Sequence, residues 1–320
     1  MAKFQTFMSS ELESFITFRK ATGVWSNNYE LNLSYFIRFC SHQYPNAIEL
    51  TQEMVDTWCA KRAEELNNSC RSRIYPVLSF LDYLRKRGKT DVLPPDIPKY
   101  SKCKYIPHAF SHDELYRFFQ ACDNLPVTKN SIVHRSRKIT IPVFFRLLYS
   151  SGIRTCEARM LRVEDVDLEE GVLSVQHSKG LSQHYVALHE TMLGLMRRYD
   201  SEIRKIYPSR NYFFPSRSGK SFHDCSWVEW NFRNIWQNCN IADTIPYDLR
   251  HNYAVENINQ WIGKSFDFSK LVYLSKSMGY CELESTKYYY HLVPALSDIV
   301  DDLSGQSFDE IVPEAAYEKS

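Results

Sequence analysis

At 320 residues, with 44% hydrophobic and 24% charged side chains, the chain has the mixture of a folded globular protein and the length of two ordinary domains, which excludes a disordered or collagen-like polymer. No run approaches the ~18 consecutive apolar residues of a membrane span, the opening MAKFQTFMSS lacks a secretory apolar core, and nine singly scattered cysteines offer neither a disulfide framework nor zinc spacing, so a cytoplasmic protein is expected. The net charge of +1 averages +4 through Lys104 (15 basic, 11 acidic), +3 from Tyr105 to His291 (23 and 20) and −6 from Leu292 to Ser320 (1 and 7), a balance that permits a nucleic-acid partner without demanding one.

The first hundred residues read as a small bundle of four or five helices. Leu12, Phe15 and Ile16 mark a helix near the start. Leu33, Phe36, Ile37 and Cys40 fall at i, i+3, i+4, i+7, and Ile74, Val77, Leu78 and Leu81 repeat that spacing. Between them Met54, Val55, Trp58 and Cys59 follow a Thr51 cap. Basic residues flank the last helix at Arg71 and Arg73 and at Arg85, Lys86, Arg87 and Lys89. They read either as a solvated helix face or as a phosphate-gripping surface. Four prolines (Pro94, Pro95, Pro98, Pro107) with Lys99, Lys102 and Lys104 make 91–107 a basic, extended connector. The domains are therefore expected at 1–104 and 105–320.

The second domain opens with the capping box Ser111-His112-Asp113-Glu114, and Leu115, Phe118 and Phe119 form the apolar face behind it. A buried helix over Ile141 to Tyr149 stops at Ser150-Ser151-Gly152, and Thr155 caps the next, which leaves Arg154 on a helix-entry turn. Val172 to Val175 and Tyr185 to Leu188 are β-favouring runs, and the polar stretch between them, His177 to Ser182, carries Lys179 on a hairpin connection. Leu249, Tyr253, Ala254 and Ile258 share one helix stripe. The acidic tail 292–320 holds Leu296, Ile299, Val300 and Leu303 at helical spacing, an apolar stripe that needs a partner in cis or in trans.

Singly, Arg154, Lys179 and Arg250 are ordinary surface or capping cations. Their order and surroundings are more specific. Tyr149-Ser150-Ser151-Gly152-Ile153-Arg154-Thr155-Cys156-Glu157 resembles the first arginine box of the tyrosine recombinases, also called the phage integrase family, and the Lys179 hairpin resembles that family's lysine turn. Tyr247-Asp248-Leu249-Arg250-His251 resembles its HxLRH box. Met278-Gly279-Tyr280, followed by Ser285-Thr286-Lys287-Tyr288-Tyr289-Tyr290-His291, resembles its LGH and TTxxYxH boxes. The resemblance covers about 111 to 292. It implies a mainly α catalytic domain with a small antiparallel β-sheet, preceded by a helical core-binding domain.

The resemblance further implies a DNA strand-transferase with Tyr289 as nucleophile, forming a 3′-phosphotyrosine. The chemistry is consistent with the residue types. A phenolate opens a phosphodiester when fixed cations hold the non-bridging oxygens, and the two planar, always-charged guanidinium groups of Arg154 and Arg250 suit that clamp. Lys179 is implied as proton donor to the departing 5′ oxygen. The covalent link retains the bond energy, so rejoining needs no ATP, metal or other cofactor. Tyr247 and Tyr280 stand where the family usually has histidine, and histidine or tryptophan; each phenol donates a hydrogen bond, but a pKa of about 10 makes it a poor proton carrier near neutrality. Both are counted with the catalytic candidates. Glu157 reads either as an orienting carboxylate or as a helix-surface glutamate, and is not counted.

The expected function is site-specific recombination or integration for a mobile element, on double-stranded DNA and close to the nucleoid. The family favours tail contacts in trans and a tetramer on paired sites, with an accessory directionality or DNA-bending protein as a further partner. Two alternatives stand beside it: a catalytically weakened relative that binds DNA in an architectural or regulatory role, and a type IB topoisomerase-like strand-transferase, which shares the chemistry. A helical interaction protein without DNA chemistry is the outside alternative.

Overall fold

The computed structural model describes residues 7–23, 25, 27–101, 105–126, 131–176, 183–261 and 268–280. It divides into two compact units, Met1–Tyr105 and Ile106–Ser320.

In the first unit four helices are described: α1 (Ser9–Ala21), α2 (Asn27–Gln43), α3 (Gln52–Cys59) and α4 (Asn67–Arg85). Helix α4 packs against each of the other three. The stripes expected from the spacing meet in one core, where Leu12, Phe15, Leu33, Phe36, Met54, Ile74 and Leu81 are buried. Thr51 caps α3 as its type predicts, accepting from the Met54 N–H at 3.4 Å.

Arg73 departs from the expectation of a phosphate-gripping residue. It is 6% exposed. Its guanidinium pairs with Glu65 at 2.8 Å and 2.6 Å and donates to the carbonyls of Ala60, at 3.0 Å, and Trp58. A charge taken this far from water survives only when paired and hydrogen-bonded, and Arg73 spends its donors on closing the α3–α4 loop. Arg85, Lys86, Arg87 and Lys89 are exposed, whereas Arg71 is half-buried and donates to the Pro98 carbonyl at 2.8 Å.

The connector forms no helix or strand over its described residues, yet it is strapped to the first unit. Gln52 exchanges two hydrogen bonds with the Leu93 backbone, accepting at 2.8 Å and donating at 3.1 Å. Asn68 does the same with Ser101 at 3.0 Å and 2.6 Å, and Asn67 donates to the Lys99 carbonyl at 3.1 Å. Extended proline-rich backbone cannot satisfy its own polar groups, and here asparagine and glutamine amides do so. The Lys99 side chain stays exposed. Lys102 and Lys104 lie outside the described residues.

The second unit contains α5 (His112–Asp123), α6 (Ile132–Ser151), α7 (Thr155–Met160), β1 (Val166–Asp167), β2 (Val172–Val175), β3 (His184–Ala187), α8 (Glu190–Ile206), α9 (Cys225–Gln237), α10 (Asp248–Asn259) and α11 (Phe268–Ser277). The fold is mostly helical with a three-stranded antiparallel sheet in the order β1-β2-β3. Val175 pairs with His184 and Val172 with Ala187, so β3 begins one residue before the run expected at Tyr185. The capping box forms as read, with Ser111 Oγ accepting from the Glu114 N–H and Glu114 accepting from the Ser111 N–H.

Helix α6 is the spine of this unit, packing on α5, α7, α8 and α10. It begins nine residues before the stretch expected at Ile141, with Ser131 as its cap. It ends at Gly152 with φ +62°, a left-handed conformation that costs an L side chain energy. A Cβ there would also lie 2.3 Å from the Tyr253 ring. Below α10 a smaller cluster of Ala254, Ile258, Leu271, Leu274 and Met278 seats α11. The tail stripe from Leu296 to Leu303 lies outside the described residues.

Candidate active site

Three chain segments converge on one cluster of charges. The first is the turn between α6 and α7. Gly152 lets the chain reverse, and Arg154 enters α7 as its N-cap, one residue before the expected Thr155. Glu157, on the first turn of α7, accepts from the Arg154 backbone N–H at 2.9 Å and from its guanidinium at 2.6 Å. Glu157 is 1% exposed, so the reading as a helix-surface glutamate is corrected. Burial alone would lower the Arg154 pKa, but the hydrogen bond and charge of Glu157 outweigh it and hold the guanidinium above its ordinary value.

The second segment is the start of α10. Asp248 is buried and shapes the turn, accepting from the Thr244 hydroxyl at 2.7 Å and the Ile245 N–H at 3.1 Å. Arg250 follows on the first helical turn and is 1% exposed. Its two terminal nitrogens donate to the carbonyls of Gly152 and, at 2.6 Å, Met278, and so tie the ends of α6 and α11 together. Its Nε–H has no hydrogen-bond partner among the described residues, which leaves donor capacity on the side chain.

The third segment follows α11. The Gly279 carbonyl accepts from Arg154 at 2.9 Å, and the Tyr280 ring lies under both cations, 4.9 Å from the Arg250 guanidinium and 5.5 Å from that of Arg154. Such placement over a ring face is attractive and holds both groups in register. Tyr247 stands beside them, edge-on to His251 with centroids 4.9 Å apart. Burial raises the Tyr247 pKa, with the charges of Arg250 and Arg154 and a hydrogen bond from Arg250 opposing, so its phenol stays protonated at neutrality.

Of the six expected catalytic residues, Arg154, Arg250, Tyr247 and Tyr280 are thus brought together, and Lys179 and Tyr289 lie outside the described residues. Reasoning from sequence passed over His184, whose Nε2 is 3.9 Å from the Glu157 carboxylate. Its signal was strand parity: His184 shares a face of β3 with the buried Val186.

Comparison with known proteins bears on the family and the fold. The profile of the Phage integrase family matches residues 108–295. A Sinorhizobium fredii protein named as an integrase/recombinase, y4rE, is 25% identical over 300 residues, covering 90% of this chain and 93% of its own. Tyrosine recombinase XerC of Lactobacillus delbrueckii subsp. bulgaricus is 23% identical over 257 residues, 78% of this chain and 81% of its own. Among solved structures, a lambda integrase dimer bound to a COC′ core site aligns with TM-score 0.56 at 15% identity, covering 86% of this chain and 95% of that one. The Tn1549 transposon integrase in complex with transposon right-end DNA aligns with TM-score 0.56 at 14% identity, covering 91% and 98%. The chain belongs to the phage integrase family of tyrosine recombinases.

Proposed function

We propose that the protein is a site-specific DNA strand-transferase of a mobile element, cutting and rejoining double-stranded DNA through a 3′-phosphotyrosine on Tyr289. The observation that carries this reading is the convergence of Arg154 and Arg250 on Tyr280, each guanidinium anchored by backbone carbonyls and one by a buried carboxylate. A phosphodiester's non-bridging oxygens gain charge as a nucleophile adds, and cations fixed beforehand stabilise that charge without reorganising. Tyr247 and Tyr280 supply hydrogen bonds in place of imidazoles. Lys179 protonates the leaving 5′ oxygen. Attack forms the Tyr289 O–P bond and breaks the bond to the 5′ oxygen, which takes its proton from Lys179 while the phenol's proton passes to solvent. The reverse attack by a 5′ hydroxyl restores the strand, so one phosphoester is exchanged for another without ATP or a cofactor.

The first unit, with exposed Arg85, Lys86, Arg87 and Lys89 and the Lys99 connector, grips the duplex backbone. The tail 292–320 makes protomer contacts in a tetramer on paired sites. The test is covalent capture. Cells expressing the full chain are lysed in detergent, adducts are isolated, and the attached DNA is sequenced. The native chain, Tyr288→Phe and Tyr290→Phe are expected to yield detergent-resistant adducts at defined sequences, and Tyr289→Phe none. Adducts surviving in Tyr289→Phe would overturn the nucleophile's assignment. Phenols at Tyr247 and Tyr280, where the family usually has imidazole or indole, favour a second reading, a DNA-binding relative with little cleavage. Salt-sensitive duplex binding by the native chain with no adduct would select it.

A further inference from the structure

His184 opens β3 with its side chain 7% exposed, beside a carboxylate that is fully buried. Its Nε2 lies 3.9 Å from Glu157 Oε2, beyond a direct hydrogen bond but within strong electrostatic reach in a site with little water. A carboxylate only accepts, so the favourable arrangement turns an N–H of the ring towards it. The same ring closes on the opposite wall. A Cβ on Gly279 would fall 2.5 Å from His184 Cε1, 2.7 Å from Nδ1 and 2.9 Å from an Arg154 terminal nitrogen. Gly279, at φ +66°, therefore approaches both side chains more closely than any other residue type allows. His184 thus lies beside both supports of the Arg154 guanidinium: the Glu157 carboxylate, which accepts from that guanidinium at 2.6 Å, and Gly279, whose carbonyl accepts from it at 2.9 Å.

The structure assigns to His184 the part of a positioning residue, which aims the Glu157 carboxylate and backs Gly279 so that the Arg154 guanidinium is held in one orientation. This deepens the reading of the site as a phosphate clamp and rests on it. The ring does not touch the reacting atoms; its effect passes through Glu157. Strand β3 also follows, in sequence, the stretch that carries Lys179, so the same contact ties the strand after that stretch to the arginine.

The test separates an N–H facing Glu157 from bulk. His184→Gln keeps an amide N–H of similar reach, and His184→Met fills similar space with none. In the full chain, the guanidinium ¹⁵N–¹H signals of Arg154, identified by their loss in Arg154→Lys, report its restraint directly, without DNA. The native chain and His184→Gln are expected to show separate, slowly exchanging terminal nitrogens, which average in His184→Met. Adduct formation on duplexes bearing the captured sequence should fall about 10- to 100-fold in His184→Met and stay within about threefold in His184→Gln, as expected when a reacting group's support is displaced. In a Glu157→Gln background, His184→Met should add nothing further. Native-like Arg154 signals in His184→Met, or equal losses in both variants, would overturn the assignment. Should His184→Met fail to fold, His184→Asn, too short to reach Glu157, takes its place with the same expectations. A native chain without adducts whose Arg154 signals still respond to His184 would retain the positioning role and remove the recombinase reading instead.

Discussion

Two arginines of this chain look alike in sequence and differ in physics. Arg154 and Arg73 both pair with a glutamate in the interior, but Arg154 sits where three segments meet, and Arg73 closes a loop within one core. Arg73→Met would leave the half-buried Glu65 carboxylate without its charged donor, a change expected to cost about 1.5–3 kcal/mol. Urea unfolding followed by hydrogen exchange in α3 and α4 measures it, and adding Glu65→Leu should return most of the loss. The pH dependence has a definite sign. The hydrogen bond from Arg73 outweighs burial and holds the Glu65 pKa at about 2, against an ordinary value of 4.5. The unfolded chain therefore binds the extra proton as pH falls, so the contribution is complete above about pH 4.5 and is lost as pH drops through 2. A first-unit stability indifferent to Arg73→Met would show that the pair is replaceable by packing alone. The burial of Arg73 was readable in principle, since it stands three residues after Cys70 and four before Val77, on the stripe that forms the core.

Among the elements, caps and stripes were legible and extents were not. The Thr51 cap and the Ser111–Glu114 box formed as their residue types dictate, because capping is settled within four residues. Helix α6 runs through Pro142 and starts nine residues before the stretch expected at Ile141, its tertiary packing on α5 and α8 overriding the local break that proline makes. The two-residue strand β1 carries no periodicity to detect. In the site, the motifs located Arg154, Arg250, Tyr247 and Tyr280, but the contacts of His184 and Gly279 join positions far apart in the chain, which spacing cannot show. The connector is a further case, since composition indicated an extended segment and only the fold shows what holds it. Gln52→Ala with Asn68→Ala removes four side-chain hydrogen bonds to Leu93 and Ser101. At partly exposed positions this should lower the local opening free energy by ~1–2 kcal/mol, raising the open population about 5- to 30-fold. Limited trypsin digestion read by mass spectrometry at Lys99 should accelerate accordingly. An unchanged rate would mean that the straps are replaced by water without loss.

For the whole molecule, two compact units with separate cores carry titratable groups of opposite habit, so acid should act on them in sequence. In the second unit, His223 stacks on Trp227 with ring centroids 3.6 Å apart, just before the Asp224 cap of α9. Burial lowers its pKa from 6.5 to about 4, with the nearby Asp224 opposing. Burial lowers that of His251 as well. Between those values the unfolded chain holds a proton on His223 that the folded unit excludes, so stability falls as pH drops through 6.5 and levels off near 4. A shift of that size corresponds to at most about 3 kcal/mol for His223. The Glu65–Arg73 pair of the first unit loses nothing down to about pH 4.5 and only the start of its contribution by pH 4, because the rest is lost between there and about 2. Hydrogen exchange at pH 7, 5.5 and 4 should therefore show the α9 region opening before α3 and α4. His223→Phe, which keeps an aromatic face on Trp227 without a titrating nitrogen, should flatten most of the second unit's slope and leave the first unit's unchanged. If both units lose protection together, or His223→Phe keeps the native slope, the buried imidazole is not what makes this unit sensitive to acid, and repulsion among surface cations becomes the governing term.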